Sequence, residues 1–310
     1  MHILTLTPGA SIGAALNALP PEGDATLRLP AGVFREKVEL TRPHTRLLGV
    51  SPEKTRIVFG DCANAIHADG QPYNTFRTAT LRVLADNVCL ENLCVENDAA
   101  DPARNGQCVA LYVYGDRFAA RNCHFLSTQD TLFCGPLPDD LILRYDGFLP
   151  DAARYREGSL SQHYEDCVIA GSVDFIFGCA DALFSRCTLR SVFDGRDGGF
   201  VAAPAHSLKQ TRGFVFADCD FTGEGVSQGS VFLARPWRDF GKASFLSCCL
   251  GAHIAPALFD PWNDTRRDRT ARFGYFDLGG SRIAPVCWGR ALTQEEAGVT
   301  LSRAAYINPS

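Results

Sequence analysis

Apolar and polar residues alternate along this chain in short runs rather than long ones. Thr80–Leu84 (TLRVL), Gly213–Phe216 (GFVF) and Ser230–Leu233 (SVFL) each read as a strand, with Gly, Asp and Asn between such runs. Sustained helical periodicity is nearly absent, so the pattern predicts an all-β protein. Within it one six-residue phrase recurs: apolar, any, usually polar, Cys or Leu, any, apolar. It occurs as LENLCV (90–95), ARNCHF (120–125), YEDCVI (164–169), FSRCTL (184–189), FADCDF (216–221) and FLSCCL (245–250). Its fourth positions are Leu93, Cys123, Cys167, Cys187, Cys219 and Cys248, separated by 30, 44, 20, 32 and 29 residues.

A strand that returns every few tens of residues, with insertions of varying length, predicts a solenoid. Its coils would stack at about 4.8 Å, and equivalent residues would form ladders, the cysteines among them on the inside. A β-sandwich also contains many short strands, but it gives no reason for a cysteine at one phase. The expected fold is a right-handed, single-stranded parallel β-helix. Ser11–Leu19 has apolar Ile12, Ala15, Leu16 and Leu19 behind a Ser11 N-cap, which predicts a short helix covering the first coil. Thr293-Gln-Glu-Glu296 reads as a capping box near the other end. No linker composition interrupts the chain, so residues 1–310 are expected to form one domain. The long 44-residue step contains Gly135–Gly158, with Pro136, Pro138 and Pro150, and predicts a loop projecting from one coil.

The repeat frame brings two acids together. Asp130 lies seven residues after Cys123 and Asp174 seven after Cys167. If the cysteines stack, these aspartates stack too, with Cα atoms about 5 Å apart. Aspartates are common at surface turns. These two instead sit in apolar, aromatic sequence, Gln129-Asp-Thr-Leu-Phe133 and Asp174-Phe-Ile-Phe-Gly178. A half-buried acid pair is costly without a function. Asp194 shares the count from Cys187, but its DGRDGG context reads as a turn. A carboxylate pair suits a retaining glycosidase. It equally suits an ester hydrolase with one nucleophilic and one proton-transferring aspartate. The ester reaction also needs oxyanion donors, for which Gln107 and Gln129 are candidates.

Bulk properties narrow the partners. The net charge of −5 argues against nucleic acid, and no apolar run is long enough to span a bilayer. Thirteen cysteines, with no CxxC pairs at zinc-finger spacing and no basic-then-apolar leader, point to free buried thiols and a cytoplasmic location; secretion after removal of a leader is the alternative. Histidines show no metal-ligand spacing and no GxSxG elbow is present, so neither a metal nor any other cofactor is expected, nor a Ser-His-Asp hydrolase. His124, His163 and His253 read as structural or surface residues.

With these motifs the chain resembles the pectin methylesterase family of right-handed parallel β-helix enzymes, from about Gly32 to Ala297. The matching segments are Gly32–Val38 (GVFREKV), Asn105–Leu111 (NGQCVAL), Gln129–Leu132 (QDTL), Gly171–Gly178 (GSVDFIFG) and Leu233–Trp237 (LARPW). Each is modestly specific; all five in order are very specific. The resemblance implies that Asp174 is the nucleophile, Asp130 the acid and later base, Gln107 and Gln129 the oxyanion donors, and Arg235 the partner that keeps Asp174 ionised. It implies a substrate of partly methylated pectin or oligogalacturonides, whose apolar sugar faces would stack on an aromatic platform, and the chain is expected to act as a monomer. By motif position the platform candidates are Trp237 and Phe177, with Tyr112 and Phe133 behind them. Arg266, Arg267, Arg269 and Arg272 read as a solvated basic loop. Phe34, Ala234, Cys179 and Tyr275 depart from the family's usual residues, which touches substrate preference rather than reaction type. The rival readings are a β-helix glycoside hydrolase or lyase, a related esterase or thioesterase without pectin activity, and a binding protein that has lost catalysis.

Overall fold

The computed structural model describes residues 1–99, 102–150, 159–263, 266–280 and 288–305. Its strands form three sheets of eleven, seven and eight strands, and every pairing between consecutive coils is parallel. The first sheet runs from His2–Thr5 to Arg290–Ala291, the second from Val38–Leu40 to Val231–Ala234, and the third from Gly32–Phe34 to Cys249–Leu250. This is the parallel β-helix expected from the repeat.

Each position of the six-residue phrase has a structural task. The first lies in the first sheet, where Tyr164, Phe184, Phe216 and Phe245 are paired in register. Their rings stack at 4.8, 4.7 and 4.8 Å between centroids, at the spacing of the coils themselves. The third position turns the chain. Asn92, Asn122, Asp166, Arg186, Asp218 and Ser247 all hold φ between +49° and +54°. Most of these are Asn or Asp, the side chains that best tolerate left-handed backbone. The fourth position points inward: Leu93, Cys123, Cys167, Cys187, Cys219 and Cys248 are at most 1% exposed. The sixth enters the third sheet, placing Val95, Phe125, Ile169, Leu189, Phe221 and Leu250 in one row. All described cysteines are free thiols. Burial pushes those of Cys167, Cys187 and Cys219 well above the ordinary range, so the ladder behaves as inert, small apolar filling.

The ends follow their sequence signals. The helix Ile12–Ala18 buries Ile12 and Leu16, and Ser11 Oγ accepts from the Ala14 N–H. The Glu36 carboxylate adds bonds from the Ile12 and Gly13 N–H groups. In the helix Gln294–Ala305, Thr293 and Glu296 cap one another reciprocally. That helix lies along the outer face of the first sheet, packing Ala297 and Ala304 with Leu183 and Val215.

The projecting loop departs from a plain excursion. It contains a helix, Asp139–Arg144, and folds back over the second sheet. Leu137, Leu141 and Leu149 are buried there in a cluster with Phe76, Tyr112, Phe133 and Phe177. Residues 151–158 of this segment lie outside the described residues. The basic segment is likewise not a free loop throughout. Arg267 pairs with Asp239 and donates to the Pro236 carbonyl, and Arg272 donates to the carbonyls of Ser207, Gln210 and Phe240. Arg269 fits the solvated description, with 86% of its side chain exposed, and Arg266 is exposed as well.

Candidate active site

Asp130 and Asp174 occupy adjacent coils at the mouth of the second sheet. Strands Leu132–Cys134 and Val173–Gly178 pair Leu132 with Ile176, which sets Asp130 level with Asp174 two residues earlier. The Asp130 N–H donates to the Val173 carbonyl at 3.0 Å. Both aspartates have left-handed backbone, φ +62° and +50°, whereas Asp194 at the same sequence count does not. Beside the next strand, Gly199–Pro204, the register slips between Val173 and Ile176 so that Asp174 sits in a bulge. Bulges re-aim side chains next to functional sites. The glycine closing this strand is required by space as well as by its φ of +122°. A Cβ on Gly178 would stand 2.1 Å from the Cys134 carbonyl oxygen.

The aspartates line a polar cavity of about 160 Å³ with Gln107, Gln129, Arg235, Trp237 and Trp262. Arg235 donates from Nε and Nη2 to the two Asp174 oxygens at 2.7 and 2.6 Å, a bidentate pair. Its guanidinium lies between the rings of Phe200 and Trp262, 3.8 Å from each centroid. Gln107 and Gln129 come from neighbouring coils, since the Cys108 N–H donates to the Gln129 carbonyl at 2.9 Å.

The two carboxyls differ in charge environment. Asp174 is 7% exposed, and burial pushes its pKa up while the Arg235 pair pulls it back. The net direction is upward, so Arg235 offsets part of the effect of burial. Asp130 lines the cavity and is half-buried as a residue, yet protein surrounds its carboxyl. Burial first, and then the charge of Asp174, raise it well above the usual carboxylate range. The pair is thereby separated: Asp174 is the readier to ionise and Asp130 the readier to hold a proton.

The aromatic candidates divide. Trp237 is part exposed in the cavity wall, with its ring 5.9 Å from that of Phe177. Phe177 borders the cavity but is only 2% exposed, so it presents little more than an edge. Tyr112 and Phe133 are fully buried and do not form a platform. They share one outward row with Phe177, and Phe76 together with the projecting loop covers that row. Three further residues belong to the site. Trp262 and Tyr145 line the cavity, and Arg196 donates to Gln129 Oε1 at 2.8 Å. Only Arg196 left a usable sequence signal, standing two residues after the phase-matched Asp194.

Fold and cavity together define a parallel β-helix protein with a carboxylate pair and two side-chain amides in one polar cavity, a set fit for carboxylic ester hydrolysis. A family profile for pectinesterases matches residues 9–136 and 153–290. Pectinesterase 31 of Arabidopsis thaliana is 31% identical over 282 residues, covering 88% of this chain and 80% of that protein. The chain belongs to the pectinesterase family. Among solved structures, the pectin methylesterase from Yersinia enterocolitica superposes with a TM-score of 0.81 at 23% identity, over 97% of this chain and 99% of that one. A pectin methylesterase mutant in complex with a hexasaccharide superposes with a TM-score of 0.79 at 24% identity, over 96% and 94%.

Proposed function

We propose that this protein hydrolyses the methyl esters of polygalacturonate, releasing methanol and leaving free carboxylates on the chain. The observation that carries this reading is the unequal pair: Asp174 held by the Arg235 fork, beside Asp130 with its carboxyl pushed well above the usual range. In this mechanism an Asp174 oxygen attacks the ester carbonyl carbon. The side-chain amides of Gln107 and Gln129 donate to the oxyanion that forms. As the tetrahedral intermediate collapses, the bond to the methoxy oxygen breaks, Asp130 protonates that oxygen, and methanol leaves an acyl-Asp174 anhydride. Asp130, now ionised, takes a proton from the water that attacks the anhydride. The products are the galacturonate carboxyl and free Asp174. A glycosidase reading is less favoured, because a fork that engages both Asp174 oxygens and two flanking amides suit an acyl oxyanion better than an oxocarbenium ion.

The substrate reading rests on family membership, on the pectin methylesterase in complex with a hexasaccharide, and on Trp237 and Trp262 lining the cavity beside the acids. Action as a monomer belongs to the same proposal. Cytoplasmic work on short, partly methylated oligogalacturonides fits the free thiols, and finding the native product only in culture supernatant would overturn it. The reaction is tested by methanol release from highly methylated pectin, wild type beside Asp174→Ala, while following ultraviolet absorbance and reducing ends. Methanol from the wild type alone, with flat absorbance and no new reducing ends, is expected. Wild-type activity in Asp174→Ala would overturn the mechanism, and unsaturated products would mark a lyase.

A further inference from the structure

The segment Asp194-Gly-Arg-Asp-Gly-Gly199 links strand Thr188–Val192 to strand Gly199–Pro204, one coil beyond Asp174. Its first residue is enclosed, with 1% of the Asp194 side chain exposed. The Asp194 carboxylate accepts from Ser172 Oγ at 2.5 Å and from the Arg196 backbone N–H at 3.1 Å. It also accepts from Arg196 Nε, at 3.1 and 3.0 Å to its two oxygens, and from Nη2. The guanidinium is thus fixed on one side. On the other, Nη1 donates to Gln129 Oε1.

Chemistry decides which way the Gln129 amide points. A guanidinium has only donors, so it can engage only the amide oxygen. With Oε1 held by Arg196, the NH2 group is the part left for the cavity that Gln129 lines. Without that anchor the amide could turn its oxygen toward a developing oxyanion, where two partial negative charges would repel. We propose that Arg196, itself held by Asp194 and Ser172, is a positioning residue for ester hydrolysis, locking Gln129 as a donor to the oxyanion. This rests on the esterase reading above and adds a residue to it. Arg196 also acts at longer range, since its charge draws both Asp130 and Asp174 down against burial.

The competing role is direct contact with a substrate carboxylate, because about a third of the Arg196 side chain is exposed. Kinetics separates the two. Arg196→Met removes the anchor. Arg196→Lys keeps a cation on buried Asp194 but cannot span both Asp194 and Gln129, and it guards against a variant that fails to fold. In either, kcat is expected to fall about tenfold or more, with KM changed by less than about twofold. In a Gln129→Ala background Arg196→Lys, which keeps the charge beside the two acids, should cost less than about a further twofold. An equal loss from Arg196→Lys in both backgrounds, or a loss confined to KM, would overturn the proposal.

A second readout needs no turnover. The Gln129 side-chain amide resonance, assigned by its disappearance in Gln129→Ala, should shift in Arg196→Lys of the unliganded protein, and an unmoved resonance would overturn the contact. Absence of methanol from the wild type would instead defeat the esterase reading, and the amide resonance shows separately whether the anchor exists.

Discussion

Arg235 meets Asp174 through two hydrogen bonds of 2.7 and 2.6 Å, and it does so while sandwiched between Phe200 and Trp262. The rings set the plane of the guanidinium, and the guanidinium sets the plane of the carboxylate. A buried carboxylate with no cation beside it would hold its proton to higher pH, where the proposed mechanism needs it ionised. In the proposed mechanism Arg235 is therefore the element that keeps Asp174 available in ionised form.

Arg235→Lys keeps a positive charge but loses both the fork and the flat face. Asp174 then loses part of the pull that opposes burial, and its pKa rises further. Because the proposed mechanism needs Asp174 ionised, the acid limb of the kcat profile should move to higher pH, with a lower plateau. Profiles of both proteins on methylated pectin check this. An unmoved acid limb would show that Arg235 does not tune Asp174.

Asp130→Asn should abolish turnover and stabilise the fold. The folded-state pKa of Asp130 is raised, first by burial and then by Asp174. Such a group contributes stability that is fully present below its unfolded value of about 3.8 and is lost as pH rises through the folded value. Removing the acid removes that loss. Thermal melts should give the variant a higher Tm than wild type near neutral pH, with the gap closing toward about pH 4. A gap independent of pH would count against the raised pKa.

Trp262 and Trp237 should fail differently. Trp262 holds one face of Arg235, so Trp262→Ala should lower kcat by several-fold, in line with about 0.5–2 kcal/mol for a part-buried cation–π contact. Trp237 lines the cavity part exposed and makes no contact with Arg235 of the kind Trp262 makes, so Trp237→Ala should act mainly on KM. Steady-state kinetics of the two variants decides, and identical signatures would remove the distinction.

His206 predicts a stability slope of the opposite sign to Asp130. It is 1% exposed, with Nε2–H toward the Ala180 carbonyl at 2.9 Å and Nδ1 accepting from the Lys242 N–H at 3.3 Å. Burial pushes its pKa from 6.5 down to about 3, so the folded ring stays neutral. Its contribution is present above about pH 6.5 and is lost as pH falls toward about 3. His206→Gln should flatten the fall in Tm over that window, whatever its effect on Tm at neutral pH. An unchanged slope would exclude His206 as a source of acid sensitivity.

Much of this site was legible because a β-helix turns sequence phase into position. Counting from Cys123 and Cys167 was enough to place Asp130 beside Asp174, since each coil adds one rung and equivalent residues share a direction. The same counting could not separate Asp194 from the other two. What distinguishes it is left-handed backbone at Asp130 and Asp174 and a bulge at Asp174, both set by neighbouring coils. Nor could it find that Tyr112 and Phe133 are covered. That depends on Leu137, Leu141 and Leu149 folding back, and a proline-rich insertion does not announce where it lands.

The sequence by itself determined the repeat, the inward cysteine ladder, the end helices and the paired aspartates, because these depend on local turn chemistry and a fixed rung spacing. Only the tertiary structure decided which aromatic rings reach the cavity, that Trp262 flanks Arg235, and that Arg196 grips Gln129. Those contacts join residues dozens of positions apart through insertions of unequal length, and no periodicity carries across such insertions. The register of the coils fixes where the acids stand, and the packing of the loops over them fixes what surrounds them.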